Sequence, residues 1–527
     1  MNYFKVSIES GAITIYNRKG IFKGIVKYKR GGNFMKQAFD NDKYVSLQSE
    51  NILNRVEQFG DKLYLEFGGK LFDDYHASRV LPGFLPDTKL KMLLNLKDKV
   101  EVVITINSCD IQRNKARGDN GINYQNEVLR LIDGLRAAGL YVGSVCIAQY
   151  QSVPQVEAFK NRLNILGIKT YLHYYIDGYP HDINRIISED GFGKNEYIET
   201  TRPIVVVTAP GPGSGKMATC LSQLYHENKR GIKAGYAKYE TFPIWNLPLK
   251  HPVNLAYEAA TADLNDVNMI DPYHLEAYGK LTVNYNRDVE IFPVLKSMFE
   301  AIYGESPYKS PTDMGVNMAG FAISDSEAAM EASKQEIIRR YLNSLIDLRN
   351  GKVKQETVDK ILLIMQQLEI NVSDRKCVEA ALRKKEISNT VSMAMELTDG
   401  FIVDSKTSAL LSAPAALLLN ALKHLANISD ELPLLSPSII EPISEMKINS
   451  LGNHNPRLHA DEILIALAIS ARTNPLADMA IKKLSELKGS QAHCTVILPE
   501  VDSNVFRKLK IDTTTEAEVY AHKLYTK

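Results

Sequence analysis

The chain has 527 residues, enough for about three domains of ordinary size. Hydrophobic residues make up 45% and charged residues 24%, a composition that excludes intrinsic disorder, and no apolar run is long enough to span a membrane. The formal net charge is +1 and becomes mildly negative without the first 34 residues, so the charge does not favour nucleic-acid binding.

The first 34 residues are predicted to be a translated leader rather than part of the folded protein. They contain seven Lys or Arg residues but one acidic residue, Glu9, and they lack the apolar segment and cleavage site of a secretory signal. Purine-rich codons for residues 29–32, Lys-Arg-Gly-Gly, would form a ribosome-binding sequence just upstream of Met35. We therefore expect Met35 to be the natural first residue.

Residues 35–325 are predicted to form an α/β body of the P-loop or Rossmann-like type, with a parallel sheet and helices on both faces. Apolar β-rich runs alternate with helical patterns, which implies right-handed crossovers between parallel strands. Runs such as IVVVTA are apolar on both faces, as in strands covered by helices on each side. The predicted strands are residues 62–67, 100–106, 140–148, 168–175, 203–209 and 233–240, with helices at residues 124–138, 154–166 and 216–228.

Beyond residue 325 the pattern changes to that of long amphipathic helices. Apolar stripes at helical spacing occur at residues 327–345 and 358–368, and further helices are expected through residue 422. A proline-rich segment interrupts this pattern, and the tail combines helices at residues 461–470 and 476–487 with a strand at residues 494–498. We expect a helical region at residues 326–430 and a small α/β part at residues 431–527.

The strand at residues 203–209 runs into a glycine-rich loop and then a helix, an arrangement suited to holding phosphate. Glycines let backbone N–H groups turn towards an anion, and the helix N-terminus adds partial positive charge. A lysine at the start of the helix could reach the outer phosphates of a nucleotide. The predicted phosphate-binding residues of this loop are Gly211, Gly213, Ser214, Gly215 and Lys216.

The core GPGSGK resembles the phosphate loop of the P-loop nucleoside monophosphate kinases over barely a dozen residues, with two departures. Pro210 takes the place of the first glycine, and Met217 takes the place of the hydroxyl residue that would bind magnesium. Thr219 lies three residues past Lys216 and faces differently on the helix. Nucleotide hydrolysis, phosphate binding without hydrolysis and a tight turn without a ligand all remain open at this point.

Loops that follow other strands are expected at the same edge of the sheet, because the strand-to-helix loops of a parallel sheet emerge together. The first strand is followed by Gly68, Gly69 and Lys70, and further on by His76 and Arg79. We expect Gly69, Lys70 and Arg79 to contribute to the phosphate site, with His76 near them. The two glycines alone would be explained by a simple turn.

A run of acidic residues follows the last predicted strand of the body. Asp263 and Asp271 could act as a base or hold a magnesium ion. Asp271 follows a weakly apolar segment that is a poor version of the strand carrying a Walker B acid, and solvated loop charge is the simpler explanation. The catalytic candidates are therefore Lys216, Lys70, Asp263 and Asp271, and no metal ligand is assigned.

Three longer blocks resemble the bacterial family called domain of unknown function 1846, also named uncharacterised protein family 0371. The blocks are residues 62–84, residues 191–237 and the motif YKSPTDMGVNM. The resemblance extends from Met35 to the C-terminus. It implies a cytoplasmic bacterial protein without an assigned reaction, and no catalytic residue follows from it.

The leading functional hypothesis is an enzyme that binds a nucleotide or phosphorylated metabolite and catalyses phosphoryl transfer or ATP-coupled ligation, with ATP or another nucleotide and Mg²⁺ as candidate cofactors. One alternative is an enzyme that acts on a phosphorylated small molecule without nucleotide hydrolysis. The other is a non-catalytic nucleotide sensor.

The expected location is the cytoplasm, because the five cysteines are scattered and form no CxxC pair, as is typical of reduced thiols. The expected partners are a small phosphorylated ligand and further copies of the same chain. We expect neither a nucleic acid nor a membrane among the partners.

Overall fold

The computed structural model describes residues 5–9, 12–17, 20–22, 37–60, 62–72, 74–117 and 121–519. The predicted start at Met35 and the residues that suggest it lie outside these ranges. The chain divides into two compact units, Lys36–Arg375 and Lys376–Lys527, with three N-terminal strands grouped with the second unit. These antiparallel strands are β1 (Lys5–Glu9), β2 (Ala12–Asn17) and β3 (Gly20–Phe22). The division at residue 375 falls between the predicted boundaries at residues 325 and 430.

A six-stranded parallel sheet forms the centre of the first unit, which confirms the predicted fold class. Its strands are β4 (Lys62–Phe67), β5 (Val100–Asn107), β6 (Tyr141–Ala148), β7 (Lys169–Leu172), β8 (Ile204–Thr208) and β9 (Ala234–Tyr239). Their order is β7-β6-β5-β8-β4-β9, and all neighbouring pairs are parallel. Every residue of β4, β8 and β9 is buried, as expected for strands covered on both faces.

Helices cover both faces of this sheet. The helices that precede or connect its strands are α1 (Asn41–Phe59), α2 (Tyr75–Val80), α3 (Thr88–Asn95), α4 (Ser108–Gln112), α5 (Tyr124–Ala137), α6 (Pro154–Ile165), α7 (Ile183–Ile186) and α8 (Lys216–Lys229). Apolar residues of α1, α3, α5 and α6 pack on one face, and those of α8 pack on the other. Residues 219–227 of α8 are all buried.

The rest of the first unit extends from the end of β9. It contains α9 (Pro252–Ala260), β10 (Asn268–Ile270), α10 (Pro272–Tyr278), β11 (Val283–Tyr285), α11 (Asn286–Tyr303), α12 (Pro311–Met314), α13 (Ser326–Arg349) and α14 (Gln355–Gln367). β10 and β11 form a short antiparallel pair, and α11 packs on the same sheet face as α8. α13 packs against α9 and α14.

The second unit contains a four-stranded sheet of order β13-β12-β14-β15. Its elements are α15 (Lys376–Ser388), β12 (Ser392–Glu396), β13 (Ile402–Lys406), α16 (Ala413–Leu425), α17 (Pro437–Asn449), α18 (Ala460–Ser470), α19 (Pro475–Ile481), β14 (Gln491–Cys494), α20 (Glu500–Lys508) and β15 (Asp512–Thr515). The hairpin of β12 and β13 lies in a region expected to be helical, and the strand expected at residues 494–498 starts where β14 ends. Among the described helices, none combines the length and the apolar character needed to cross a membrane.

Candidate functional site

The glycine loop, residues 210–216, lies where the direction of the sheet connections reverses. β5 and β8 are neighbours, but the chain continues from β5 to β6 on one side and from β8 to β9 on the other. The helices that follow these strands, α5 and α8, therefore pack on opposite faces of the sheet. A crevice opens between strand ends at such a reversal, and it is where open α/β sheets bind ligands.

Three glycines give the loop its conformation. Gly213 and Gly215 have φ angles of 77° and 93°, which residues with a Cβ rarely adopt. Gly211 lies so close to the hydroxyl group of Tyr124 that a Cβ there would overlap it. The buried Ser214 hydroxyl donates a hydrogen bond of 2.9 Å to the carbonyl of Gly211 and closes the loop.

The backbone amides in the second half of the loop have no hydrogen-bond acceptor among the residues that the structure describes. Within the described part of the chain, the backbone nitrogens of Gly213, Ser214 and Gly215 donate to no protein acceptor. Gly215 caps α8 without a side chain, and the first-turn amides of Lys216 and Met217 likewise have no protein acceptor among the described residues. Clustered donors at a helix N-terminus are the groups that bind phosphate in other proteins.

The first turn of α8 offers a lysine but no exposed hydroxyl. Lys216 lines the same cavity as the loop. Met217 packs against the apolar cluster between α8 and the sheet. The hydroxyl oxygen of Thr219 is 3.5 Å from that of Thr105 and 3.8 Å from the sulfur of Cys146, and its side chain is buried. Neither position 217 nor position 219 therefore presents an oxygen to a metal ion at the loop.

A cavity of about 1020 Å³ opens at the carboxyl edge of the sheet and includes the loop. Residues at the ends of five strands line it together with the loop: Gly68, Gly69 and Lys70 after β4, Asn107 of β5, Gln149 after β6, His173 and Tyr174 after β7, and Glu240 after β9. Gly69 and Lys70 thus share one cavity with Lys216. This volume is at the upper end of the range found for small-molecule binding sites.

Arg79 and His76 lie elsewhere, on the contact between α2 and α13. Both pair with the buried carboxylate of Glu336, at 2.9 Å and 3.2 Å, and Arg339 and Arg340 pair with it as well. Burial opposes ionisation of Glu336, but the three guanidinium groups outweigh it and hold the pKa of that carboxyl well below its usual range. The structure does not bring Arg79 or His76 to the cavity with Lys216.

The two candidate aspartates also lie away from the cavity lining. Asp271 is buried as the N-cap of α10, where its carboxylate accepts hydrogen bonds from the backbone amides of Tyr273 and His274. It also accepts from the amide and hydroxyl of Thr312. Asp263 is exposed. No group of three or more His, Cys, Asp or Glu side chains in the described ranges is placed to hold a metal ion.

A charged cluster that the sequence did not single out lines the β4 and β9 side of the cavity. Lys238 pairs with Asp288, and its Nζ lies 3.3 Å from an oxygen of Glu240. Burial raises the pKa of Glu240, although Lys238 opposes this rise. Glu66 accepts a hydrogen bond of 2.6 Å from the hydroxyl of Tyr236. The available signal was a pair of charged residues at the end of an otherwise apolar run, Lys238 within β9 and Glu240 directly after it.

The opposite side of the cavity, at the ends of β5, β6 and β7, carries amides and aromatic rings. The predicted strand at residues 168–175 contains Tyr174 and Tyr175, but β7 ends at Leu172, so both tyrosines lie on the following loop. The amide nitrogen of Tyr174 donates a hydrogen bond of 2.7 Å to Oδ1 of Asn195. Nδ2 of Asn195 in turn donates a hydrogen bond of 2.9 Å to the hydroxyl of Ser222 on α8. This bridge connects the tyrosine segment to the helix that begins at the glycine loop.

Two family models together match most of the chain. The N-terminal domain of unknown function DUF1846 matches residues 37–369, and the C-terminal one matches residues 373–525. A UPF0371 protein of Streptococcus thermophilus is 59% identical over 492 residues, which is 93% of this chain and 100% of that protein. UPF0371 proteins of Streptococcus pneumoniae and Streptococcus pyogenes are 58% and 57% identical, each over 93% of this chain and 100% and 99% of their own.

Proposed function

This chain belongs to the DUF1846 family of bacterial proteins, and we propose that it binds a phosphorylated small molecule at the glycine loop. The observation that carries this proposal is the set of loop amides, from Gly213 to Met217, which line the cavity and have no acceptor within the described part of the protein. Gly213 is exposed, but Ser214 is buried and residues 215–217 are half-buried, where amides without partners are costly, and an anion would satisfy several of them together.

Charge in the same place supports the proposal. Lys216 stands at the N-terminus of α8, where the helix dipole also favours an anion. Lys70 lines the cavity from the neighbouring strand end. With the loop amides, these two lysines would hold the oxygens of one phosphate group from two directions.

The loop fits a phosphate group without a metal ion bound in the P-loop manner. Met217 replaces the hydroxyl residue that would bind magnesium there, and its side chain packs into the apolar cluster. Thr219 is buried against Thr105. We therefore favour binding of a phosphorylated molecule through the amides and lysines alone.

Phosphoryl transfer or ATP-coupled ligation is a second candidate function, favoured by one observation. Glu240 lines the same cavity as the glycine loop, and burial raises the pKa of its carboxyl above the ordinary value, which is the direction expected for a carboxyl that transfers protons. In this function ATP would be the phosphate donor, and Mg²⁺ would be bound by groups other than those of the loop.

Thermal unfolding with added ligands tests the proposal, because a molecule that binds the folded state raises its melting temperature. The ligands are inorganic phosphate, sugar phosphates and nucleotides, each with and without Mg²⁺. Lys216→Ala should weaken binding of the effective ligand about tenfold to a hundredfold, since charge-assisted hydrogen bonds contribute about 1.5–3 kcal/mol. Lys229→Ala, at the other end of α8, is the matched control and should bind as the unaltered protein does.

Stabilisation without Mg²⁺ favours the first function, and Mg²⁺-dependent stabilisation by ATP followed by turnover favours the second. Tight nucleotide binding without turnover would indicate a sensor. If no phosphorylated compound stabilises the protein, or if Lys216→Ala and Lys229→Ala behave alike, the phosphate site is wrong.

A further inference from the structure

The two sides of the cavity differ in chemistry. Carboxylates dominate the side of β4 and β9, with Glu66, Glu240, Asp266 and Asp288 in the lining. The side of β5, β6 and β7 presents side-chain amides and tyrosine rings, and the one carboxylate described there, Glu127 of α5, is buried and paired with Arg117 and Arg130. A molecule whose phosphate is held at the glycine loop would therefore meet side-chain amides and aromatic rings on one side.

The glycine loop reaches towards this aromatic side. A Cβ placed on Gly215 would lie 2.9 Å from the Cβ of Ala148 and 3.7 Å from the methyl group of Thr105. Ala148 is the last residue of β6, two strands away from β8. The loop therefore crosses the end of β5 and lies beside Gln149, the residue that follows β6.

The side chain of Gln149 is hydrogen-bonded through its oxygen, and its N–H donors have no acceptor within the described part of the chain. Its Oε1 accepts a hydrogen bond of 3.0 Å from Nδ2 of Asn107, and Oδ1 of Asn107 accepts from the amide of Cys109. Nε2 of Gln149 has no acceptor among the described residues, and the side chain is exposed on the cavity wall. Its two N–H donors are therefore available to a ligand that occupies this side.

Tyr175 supplies an exposed ring beyond Gln149. It lines the cavity with 65% of its surface exposed, whereas Tyr174 contacts Tyr150 edge-on, with ring centres 5.9 Å apart. Neighbouring strands are about 4.8 Å apart, so the ends of β6 and β7 lie roughly 10–15 Å from the end of β8. Inorganic phosphate cannot span that distance, but a phosphate joined through ribose to a planar base can.

We infer that the phosphorylated ligand is a nucleotide whose phosphate lies on the glycine loop, whose base stacks on Tyr175 and whose base or ribose accepts hydrogen bonds from Gln149. This inference rests on the phosphate site proposed above and adds the substrate class. Stacking on an aromatic ring is tolerant of base identity because every base has a planar face. Selection among bases would then come from the donors of Gln149.

Isothermal titration of the full chain tests the inference with the 5′-monophosphates and triphosphates of adenosine, guanosine, cytidine and uridine. Ribose 5-phosphate and inorganic phosphate are the comparison ligands. At least one nucleotide should bind about tenfold or more tightly than ribose 5-phosphate, because stacking of one base on an aromatic ring increases affinity by about that factor. Tyr175→Ala should remove this difference and leave the affinity for ribose 5-phosphate unchanged.

Three further variants make the result specific. Tyr175→Phe keeps the ring and should bind nucleotides as the unaltered protein does, while Gln149→Ala should weaken nucleotide binding severalfold. Tyr141→Ala removes another exposed ring from the opposite end of β6 and should change nothing.

Equal affinity for ribose 5-phosphate and every nucleotide would overturn the nucleotide inference while leaving the phosphate site intact. So would full nucleotide affinity in Tyr175→Ala. Absence of binding by all the phosphorylated compounds would instead overturn the phosphate site, and the nucleotide inference with it.

Discussion

Gly215 lies directly against Ala148, so that the last glycine of the loop after β8 contacts the last residue of β6. A side chain at position 215 has no room, since its Cβ would lie 2.9 Å from that of Ala148. The φ angle of 93° also requires glycine. Two independent constraints therefore act on this one residue.

We predict that Gly215→Ala lowers the free energy of unfolding by about 3 kcal/mol, because left-handed strain adds to overpacking. Gly231→Ala is the matched control. Gly231 follows the same helix with φ of 71°, and a Cβ at this position would meet no described atom within 4 Å, so strain alone should cost about 1 kcal/mol. Urea unfolding, followed by the fluorescence of the single tryptophan, Trp245, measures the free energy of unfolding of both variants. Equal losses would contradict the close contact with Ala148.

Asp288→Asn should destabilise the first unit by about 2 kcal/mol, because it leaves the buried ammonium group of Lys238 with one fewer carboxylate. The exposed pair of Glu189 and Lys229 provides the control, and Glu189→Gln should change stability little. Trp245 fluorescence in urea measures both variants. A loss no greater for Asp288→Asn than for Glu189→Gln would show that Lys238 is solvated rather than buried.

Glu336→Gln should cost about 3 kcal/mol at pH 7, because three guanidinium groups lose their shared carboxylate. The pKa of Glu336 is lower in the folded protein than the ordinary value of 4.5, so its contribution is complete above pH 4.5 and is lost as the pH falls further. Urea unfolding at several pH values below 6 should show a steeper acid loss for the unaltered protein than for Glu336→Gln. Parallel curves would contradict the paired carboxylate.

His173 should produce a separate pH dependence at higher pH. Burial lowers the pKa of its imidazole to about 4 from an ordinary value of 6.5, so the unfolded chain binds a proton that the folded protein does not. Stability should therefore fall by up to about 3 kcal/mol between pH 6.5 and pH 4. His173→Gln, which can still donate to the carbonyl of Glu196, should flatten this part of the curve. An imidazole NMR titration centred near pH 6.5 would contradict the buried, neutral ring.

The central sheet was predictable because its strands are buried on both faces. Runs such as residues 204–208, all branched and almost all apolar, have few alternatives to a central parallel strand. The position of the glycine loop followed from the same pattern, since a strand precedes it and a helix follows. Gly69 and Lys70 could be predicted to lie near the glycine loop because the loops that follow parallel strands emerge at one edge of the sheet, and they line the same cavity.

The features that could not be predicted from the sequence are mostly contacts between residues far apart in the chain. Arg79 pairs with Glu336, and no local pattern signals a partner 257 residues away. β12 has the sequence SMAME, in which methionine and alanine give a weak strand signal, so the hairpin was missed. The pairing of Lys238 could not be predicted from the sequence for the same reason. Its partner Asp288 lies on α11, far from β9 along the chain.

The burial of α8 has a consequence for the energetics of binding. With residues 219–227 enclosed between the sheet and its covering elements, this helix cannot tilt or slide without disrupting the surrounding core. Its N-terminal amides are consequently preorganised before any anion arrives. A ligand seated there would lose little of its affinity to ordering of the protein, so its dissociation rate should depend on the contacts it makes rather than on loop closure.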